Sequence, residues 1–248
     1  ELPGPDGGLR TAPVTWAIMG KGMHALVTGG AGFIGSHSVE ALLRKGARVT
    51  ILDNLSTGKR ANVPADERLE LIEGDIRDAA AVQRAMRGVT HVLHLAAQVS
   101  VRASLEDPPH SASHNVAGFL NIAHAARSAG PVRLVYASSA AVYGAPEALP
   151  LDEESPCRPS SPYGLEKLID DQYAALYRSL YGASALGLRY FNVYGPRQDP
   201  ASPYAGVISR FPAGIAADAP LTIFGDGRQT RDFVYVGDVA HANVAALE

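Results

Sequence analysis

From Met23 onward, short runs rich in β-branched residues alternate with longer stretches that repeat at helical spacing. A chain patterned this way can bury both kinds of element only as βαβ units around a parallel sheet. Candidate strands are "HALVTG" (24–29), "RVTILD" (48–53), "LELIEG" (69–74), "THVLHLA" (90–96), "RLVYAS" (133–138) and "ALGLRY" (185–190). The spacing predicts helices between them at about 33–45, 78–87, 113–129 and 162–181. Beyond Tyr190 Gly and Pro become frequent and the elements shorten, to a helix near 206–217, a strand near 232–236 and a last helix from about 238. That change divides the chain into a first region over 23–190 and a smaller second region over 191–248.

Composition removes several classes of function. With 248 residues, 46% hydrophobic and 19% charged, the chain can bury a sizeable core and is expected to be globular and soluble. A formal charge of -3 with no Lys/Arg-dense run leaves no footprint for nucleic acid. Cys157 is the sole cysteine, so no intrachain disulfide can form and a reducing compartment, by default the cytoplasm, is compatible. The apolar runs are too short to span a bilayer. Residues 1–22 lack a basic region followed by an apolar core, and read as a disordered or artificial extension ahead of Met23.

"TGGAGFIGSH" sets Gly29, Gly32 and Gly35 between the first strand and the first helix. Glycines there let the backbone turn tightly and approach a pyrophosphate, which the amides of the first helical turn (Phe33, Ile34, Gly35) and the positive helix end stabilise. Glycine also serves plain turns and close packing. Context favours the ligand: the second strand ends in "ILDNLSTGKR", with Asp53 18 residues beyond Gly35, where an acid that accepts both ribose hydroxyls is expected, followed by Asn54. Such a carboxylate repels a 2′-phosphate, so NAD is expected over NADP, with Lys59 and Arg60 the only nearby groups to favour phosphate. Two later strand ends fit the same crevice: "GDIRD" brings Asp75 and Ile76 toward an adenine, and "HLAAQ" brings Leu95, Ala96 and Ala97 beside the cofactor. These features read together as a Rossmann-type doubly wound α/β sheet.

"SPYGLEKL" holds Tyr163 and Lys167 four positions apart, hence on one helix face, a pattern that ordinary amphipathic helices also show. Ser138 and Ser139 end the fifth strand, and all of these groups converge at the cofactor's nicotinamide end if the sheet forms as read.

Taken in order, "TGGAGFIG", "DNLSTG", "GDIRD", "HLAAQVSV", "SSAAVYG", "SPYGLEK", "RYFNVYGPRQDP" and "GDGRQTRDFVYVGDV" resemble the NAD-dependent epimerase/dehydratase family, the extended short-chain dehydrogenases/reductases, and within it the UDP-glucose 4-epimerase branch. The resemblance implies NAD as cofactor, Tyr163 as general base and acid at a sugar 4-hydroxyl, Lys167 as the ammonium that favours the phenolate and holds the nicotinamide ribose, and Ser139 as hydrogen-bond partner of the same hydroxyl. It implies hydride transfer from sugar C4, a 4-keto intermediate, and return of the hydride to the other face. Members that eliminate water or carbon dioxide resemble one another in an acid just before Val-Tyr-Gly; here Ala140 and Ala141 stand there, which disfavours dehydration and decarboxylation.

By the same resemblance a UDP-sugar is the substrate, held by Asn192, Val207, Leu221, Phe224 and Arg231. UDP-glucose/UDP-galactose or their N-acetyl forms lead, with UDP-glucuronate as alternative substrate and a non-catalytic NAD-binding module as alternative class. Departures are Val99, where some epimerases carry a base, and Gly237, where an acid is common. Family members usually continue past residue 248, so the substrate region is expected to be incomplete. His110 and His114 share a helix face, but no cysteine or acid joins them at ligand spacing, and no metal is expected. Tyr173, Tyr177 and Tyr181 form a helical stripe that reads as core or subunit contact. For this stripe the family implies a homodimer through a four-helix interface.

Overall fold

The computed structural model describes residues 22–200, 206–223 and 225–248. The extension expected before Met23 therefore lies outside the described residues, apart from Gly22.

Six parallel strands form the main sheet: β1 (His24–Thr28), β2 (Arg48–Asp53), β3 (Leu69–Glu73), β4 (His91–His94), β5 (Arg133–Ser139) and β6 (Ser184–Tyr190). Their order is β3-β2-β1-β4-β5-β6. The chain runs outward from β1 to β3, returns to β1's other side at β4, and runs outward again. The crevice for a ligand lies at that reversal, beyond the carboxyl ends of β1 and β4. Strands buried on both faces need near-continuous apolar sequence, and β1, β2 and β4 are almost wholly buried.

Helices cover both faces. On one side α2 (Ala79–Ala85), α5 (Gly118–Ser128) and α6 (Pro162–Tyr181) pack Val82, Phe119, Ile122 and Ala174 against Leu26, Leu52 and Leu134. On the other, α1 (Phe33–Arg44) and α8 (Val236–Leu247) close over Val27, Val49 and Leu93. Although α8 belongs to the stretch past Tyr190, its Ala240, Val244 and Leu247 sit with α1's Val39 and Leu42 under the main sheet. Asn243 Nδ2 donates to Ser38 Oγ at 3.0 Å, and Arg133 Nε donates to the Ala246 carbonyl at 3.0 Å. The rest of that stretch forms a two-stranded parallel sheet of β7 (Asn192–Tyr194) and β8 (Phe233–Tyr235), with α7 (Val207–Ala216) on the surface.

The stretch expected as one helix over 113–129 is longer and segmented. It comprises α3 (Val101–Glu106), α4 (Pro108–Ala112), a single π turn (Ser113–Ala117) and α5. Ser100 caps α3 by accepting from the Ala103 amide, and Asp107 caps α4 by accepting from the His110 amide, with Pro108 at the first helical position where its missing N–H costs nothing. β7 was not anticipated. β4 is shorter than the 90–96 run: the Leu95 amide still meets the Thr28 carbonyl at 3.1 Å and shares its hydrogen with the Thr28 hydroxyl at 3.2 Å, and the Ala96 amide then turns to that hydroxyl at 3.1 Å.

The packing of α8 generates a stability prediction. Leu247 is 1% exposed, so Leu247→Ala is expected to destabilise the fold by about 2–5 kcal/mol. Chemical denaturation should then show a single transition shifted as a whole, not early loss of one segment.

Candidate functional site

At the head of the crevice Gly29 closes β1 with φ +70°, a conformation side chains rarely adopt, and a Cβ there would meet the Ala96 amide nitrogen at 2.8 Å. Gly35 in the first turn of α1 is as constrained: its Cβ would stand 2.1 Å from the Gly29 carbonyl oxygen. The two glycines let loop and helix close on each other. At the N-terminus of α1, Gly32 offers no side-chain cap and no acid occupies the first turn. The helix-end amides around Phe33 and Ile34 and the positive helix end are thus left for an external anion.

Asp53, 7% exposed, is held against this loop: Oδ2 accepts from the Ala31 amide at 3.0 Å and Oδ1 from Leu55 at 2.9 Å. Each oxygen keeps a lone pair for a hydroxyl. The neighbouring bases are engaged elsewhere, Lys59 with Asp199 at 3.0 Å and Arg60 with Glu73. A carboxylate fixed beside an uncapped, glycine-lined helix start fits a dinucleotide with a free 2′-hydroxyl.

Asn54 donates to Asp75 Oδ2 at 3.2 Å, and the fork of Arg77 grips both Asp75 oxygens at 2.9 and 2.8 Å, holding that carboxyl far below the usual range. Ile76 turns its side chain into the core against Gly118, and its carbonyl accepts from Asn121 at 3.0 Å. What the "GDIRD" turn presents outward is therefore an oriented carboxylate and backbone. Leu95, Ala96 and Ala97 follow β4 directly and are half-buried beside Gly29.

The carboxyl end of β5 leads into a 3-10 turn (Ala140–Tyr143). Ser139 Oγ accepts from the Ala141 amide at 3.1 Å, which leaves its own proton to give outward. Here α6 begins: Ser161 caps it by accepting from Gly164, and Pro162 takes the first helical position. Gly164 lets the helix start press on the turn, since a Cβ would stand 2.6 Å from the Ala141 carbonyl. The same contact brings Tyr163 and Ser139 to one corner of the crevice. The Tyr163 amide donates to the buried Ser104 Oγ of α3 at 3.1 Å. Val99, at the neighbouring end of "QVSV", is 58% exposed.

One turn on, Lys167 is 2% exposed and its Nζ lies 3.2 Å from Oδ2 of the fully buried Asp170. Burial alone would push this ammonium down, but the Asp170 carboxylate and then Tyr163 outweigh it and hold it above its ordinary value. Burial in turn pushes Asp170 up to about 6 against the pull of Lys167. Beneath the pair, His94 is kept neutral, pushed down to about 3 by burial and by the Lys167 ammonium. Glu166, also buried, accepts from Ser111 Oγ at 2.7 Å and Asn115 Nδ2 at 2.6 Å, so α6 is clamped to the π turn. Asn115 also accepts from the Gln98 amide at 2.9 Å and donates to its carbonyl.

Sequence reasoning missed Ser104, Glu166, His94 and Asp170. Only Asp170 carried a local signal, a charge of opposite sign three residues after Lys167.

The residues expected around a substrate are spread over the smaller sheet and α7. Asn192 is exposed and donates through its side chain to the Asp232 carbonyl at 2.9 Å. Val207 opens α7 and is 43% exposed; Leu221 is 42% exposed beside Gly214. Arg231 is exposed and donates to the Thr230 carbonyl at 2.7 Å. Phe224 lies outside the described residues. The His110 and His114 rings lie 4.4 Å apart between centroids, tilted at 51° to each other, with His114 Nδ1 2.9 Å from the His110 carbonyl. Among the described residues no group of three or more His, Cys, Asp or Glu is gathered as for a metal ion, and no helix is long and apolar enough to cross a membrane.

A family model described as the NAD dependent epimerase/dehydratase family matches residues 25–248. A putative UDP-glucose 4-epimerase of Methanocaldococcus jannaschii is 49% identical over 224 residues, which cover 90% of this chain and 72% of that protein. Among solved structures, the UDP-N-acetylglucosamine 4-epimerase of Methanobrevibacter ruminantium in complex with UDP-N-acetylmuramic acid superposes with a TM-score of 0.88 at 40% identity, covering 92% of this chain and 73% of that one. The UDP-glucose 4-epimerase of Thermus thermophilus in complex with NAD does so with a TM-score of 0.84 at 46% identity, covering 91% and 74%.

The loop geometry yields a test. Gly35→Ala forces apart the Gly29 turn and α1, and is expected to weaken NAD binding by at least about tenfold, measured by calorimetric titration. Far-ultraviolet circular dichroism should remain unchanged.

Proposed function

Because the chain belongs to the NAD-dependent epimerase/dehydratase family, with NAD as its cofactor, we propose that it inverts C4 of a UDP-hexose, UDP-glucose/UDP-galactose or their N-acetylated forms, through a transient 4-keto sugar. The observation that carries this reading is the corner where α6 meets the end of β5. There Tyr163 and Lys167 share a helix face beside Ser139, and the two places just before Val142-Tyr143-Gly144 hold Ala140 and Ala141.

NAD bound along the glycine loop and Asp53 supplies an acceptor and donor for the hydrogen on sugar C4. The chain's own residues move the proton. Tyr163 takes it from the 4-hydroxyl and returns it. Lys167, buried and charged, favours the phenolate that does so, because an ammonium in a dry site stabilises a neighbouring anion far more than it would in water. Ser139, whose hydroxyl proton is free, donates to the same sugar oxygen. An elimination needs a second acid–base group at the neighbouring carbon, and an alanine side chain cannot titrate. Asn192, Val207, Leu221, Phe224 and Arg231 would hold the UDP half, Arg231 through a guanidinium fork suited to phosphate.

The protein is further proposed to act as a homodimer through α5 and α6. Along α6 Leu176 and Leu180 are 51% and 59% exposed, while Tyr177 turns inward and Arg127 of α5 caps the Tyr181 ring at 4.0 Å. Two such faces packed together make a four-helix contact.

Two outcomes are expected. Incubated with NAD+ and UDP-galactose, or with the N-acetylated pair, the purified protein should form the C4 epimer. Tyr163→Phe should lower kcat by about a hundredfold or more with NAD retained. Conversion of UDP-glucuronate alone would move the substrate to the uronate, and NAD binding with no conversion of any UDP-sugar would leave a binding module. Separately, Leu176→Glu with Leu180→Glu should give monomers in analytical ultracentrifugation where the unsubstituted protein gives dimers.

A further inference from the structure

Three carboxylates lie within two turns of α6 around Lys167, and two of them have partners of their own. Glu166 is taken by Ser111 and Asn115. Asp171 accepts from Tyr136 OH at 2.9 Å and from Arg189 Nε at 3.2 Å. Asp170 has Lys167 alone: Oδ2 stands 3.2 Å from Nζ, and Oδ1 takes no hydrogen bond from any described group. Tyr163, Lys167 and Asp170 fall at positions i, i+4 and i+7 of the helix, one continuous stripe.

A buried ion pair is costly to assemble, and apolar side chains in place of both partners would often fold as well or better, whereas removing one partner alone strands the other's charge. The use of Asp170 lies in what it does to its neighbour. A buried ammonium without a counter-charge gives up its proton near or below neutrality, and a neutral amine would no longer favour a phenolate at Tyr163.

We infer that Asp170 is a positioning residue for proton transfer: its carboxylate keeps Lys167 charged and fixed on the face of α6 that carries Tyr163. Of the other carboxylates around the pair, Asp171 also raises Lys167, but less than Asp170 does, and is itself held by Tyr136 and Arg189, while Glu166 is held by Ser111 and Asn115. His94 on β4 is neutral, Tyr136 on β5 donates to Asp171, and Arg189 on β6 is bound to Asp171 and Tyr143. From 108–117, the side chains that reach this part of α6 are Ser111 and Asn115, both uncharged. The direction of the Lys167 shift agrees, since Asp170 is the largest of the influences that raise it.

This inference rests on the proton-transfer roles proposed for Tyr163 and Lys167, and its test is chosen to be readable without turnover. Asp170→Asn keeps the shape and an oxygen for Nζ but removes the charge. Tyr163 ionisation is followed by phenolate absorbance, as the difference between each protein and its Tyr163→Phe counterpart, without sugar. In D170N the Tyr163 titration is expected to move up by about one pH unit or more. With UDP-sugar, kcat at neutral pH should fall about tenfold while KM stays within about twofold. A titration that does not move, or moves down because Lys167 stays charged without Asp170, overturns the inference. If D170N does not fold, Asp170→Ser, which removes charge and bulk together, is read by the same criteria. Failure of the unsubstituted protein to epimerise any UDP-sugar would sink the proposed function and leave this titration intact.

Discussion

The Thr28 hydroxyl holds the two halves of the sheet in register at the point where the ligand crevice opens. It accepts from the amides of Leu95 and Ala96, so its own proton can go only to His94 Nδ1, 2.7 Å away. The ring must therefore be neutral with its hydrogen on Nε2. A protonated ring would have a donor at both nitrogens, lose the Thr28 bond and set a second positive charge near Lys167. Neutrality at His94 fixes how β4 leaves the sheet, which fixes where Ala96 meets Gly29, and that contact allows no side chain at position 29. The cofactor loop and the proton-transfer corner are thus joined through one buried hydroxyl.

The regular part of the fold was legible because its signals are local. β1, β2 and β4, buried on both faces, appear as nearly continuous apolar runs, and all six strands of the main sheet stand where the sequence leads one to expect them. The sequence leads to a helix only from about residue 113, and Pro108 and Pro109 stand before that point. In the structure Asp107 caps the helix they open, and proline is tolerated where no helical N–H is required. The same sequence thus marks a helix start, not an interruption. β7 was not legible: three residues next to a strand end carry no periodicity.

Legibility of the site divides by range. The glycines, Asp53 and the Tyr163/Lys167 pair have fixed spacings within one strand–turn–helix unit or one helix. The partners that lock them come from far along the chain: Ser104 from 59 residues before Tyr163, and Ser111 from 55 before Glu166. Asp170 is a different case. It is adjacent in sequence, yet an acid three residues from a lysine is commonplace on helix surfaces, and only burial distinguishes this one. Burial is a property of the assembled layers, which no local pattern carries.

The packing of α8 against α1 has a consequence for how the chain comes to be folded. Leu247 and Val39 share one core although some 200 residues separate them. During synthesis every strand of the main sheet is made before α8 exists, so the face of the sheet beneath it keeps an uncovered apolar strip until residue 247 has left the ribosome. Contacts of such sequence separation form late, and exposed apolar surface in the interval invites association between nascent chains. For this protein the vulnerable period is therefore set by translation of the stretch from 191 to 247, during which the cofactor loop is already complete but the sheet that holds it is covered on one side only in part.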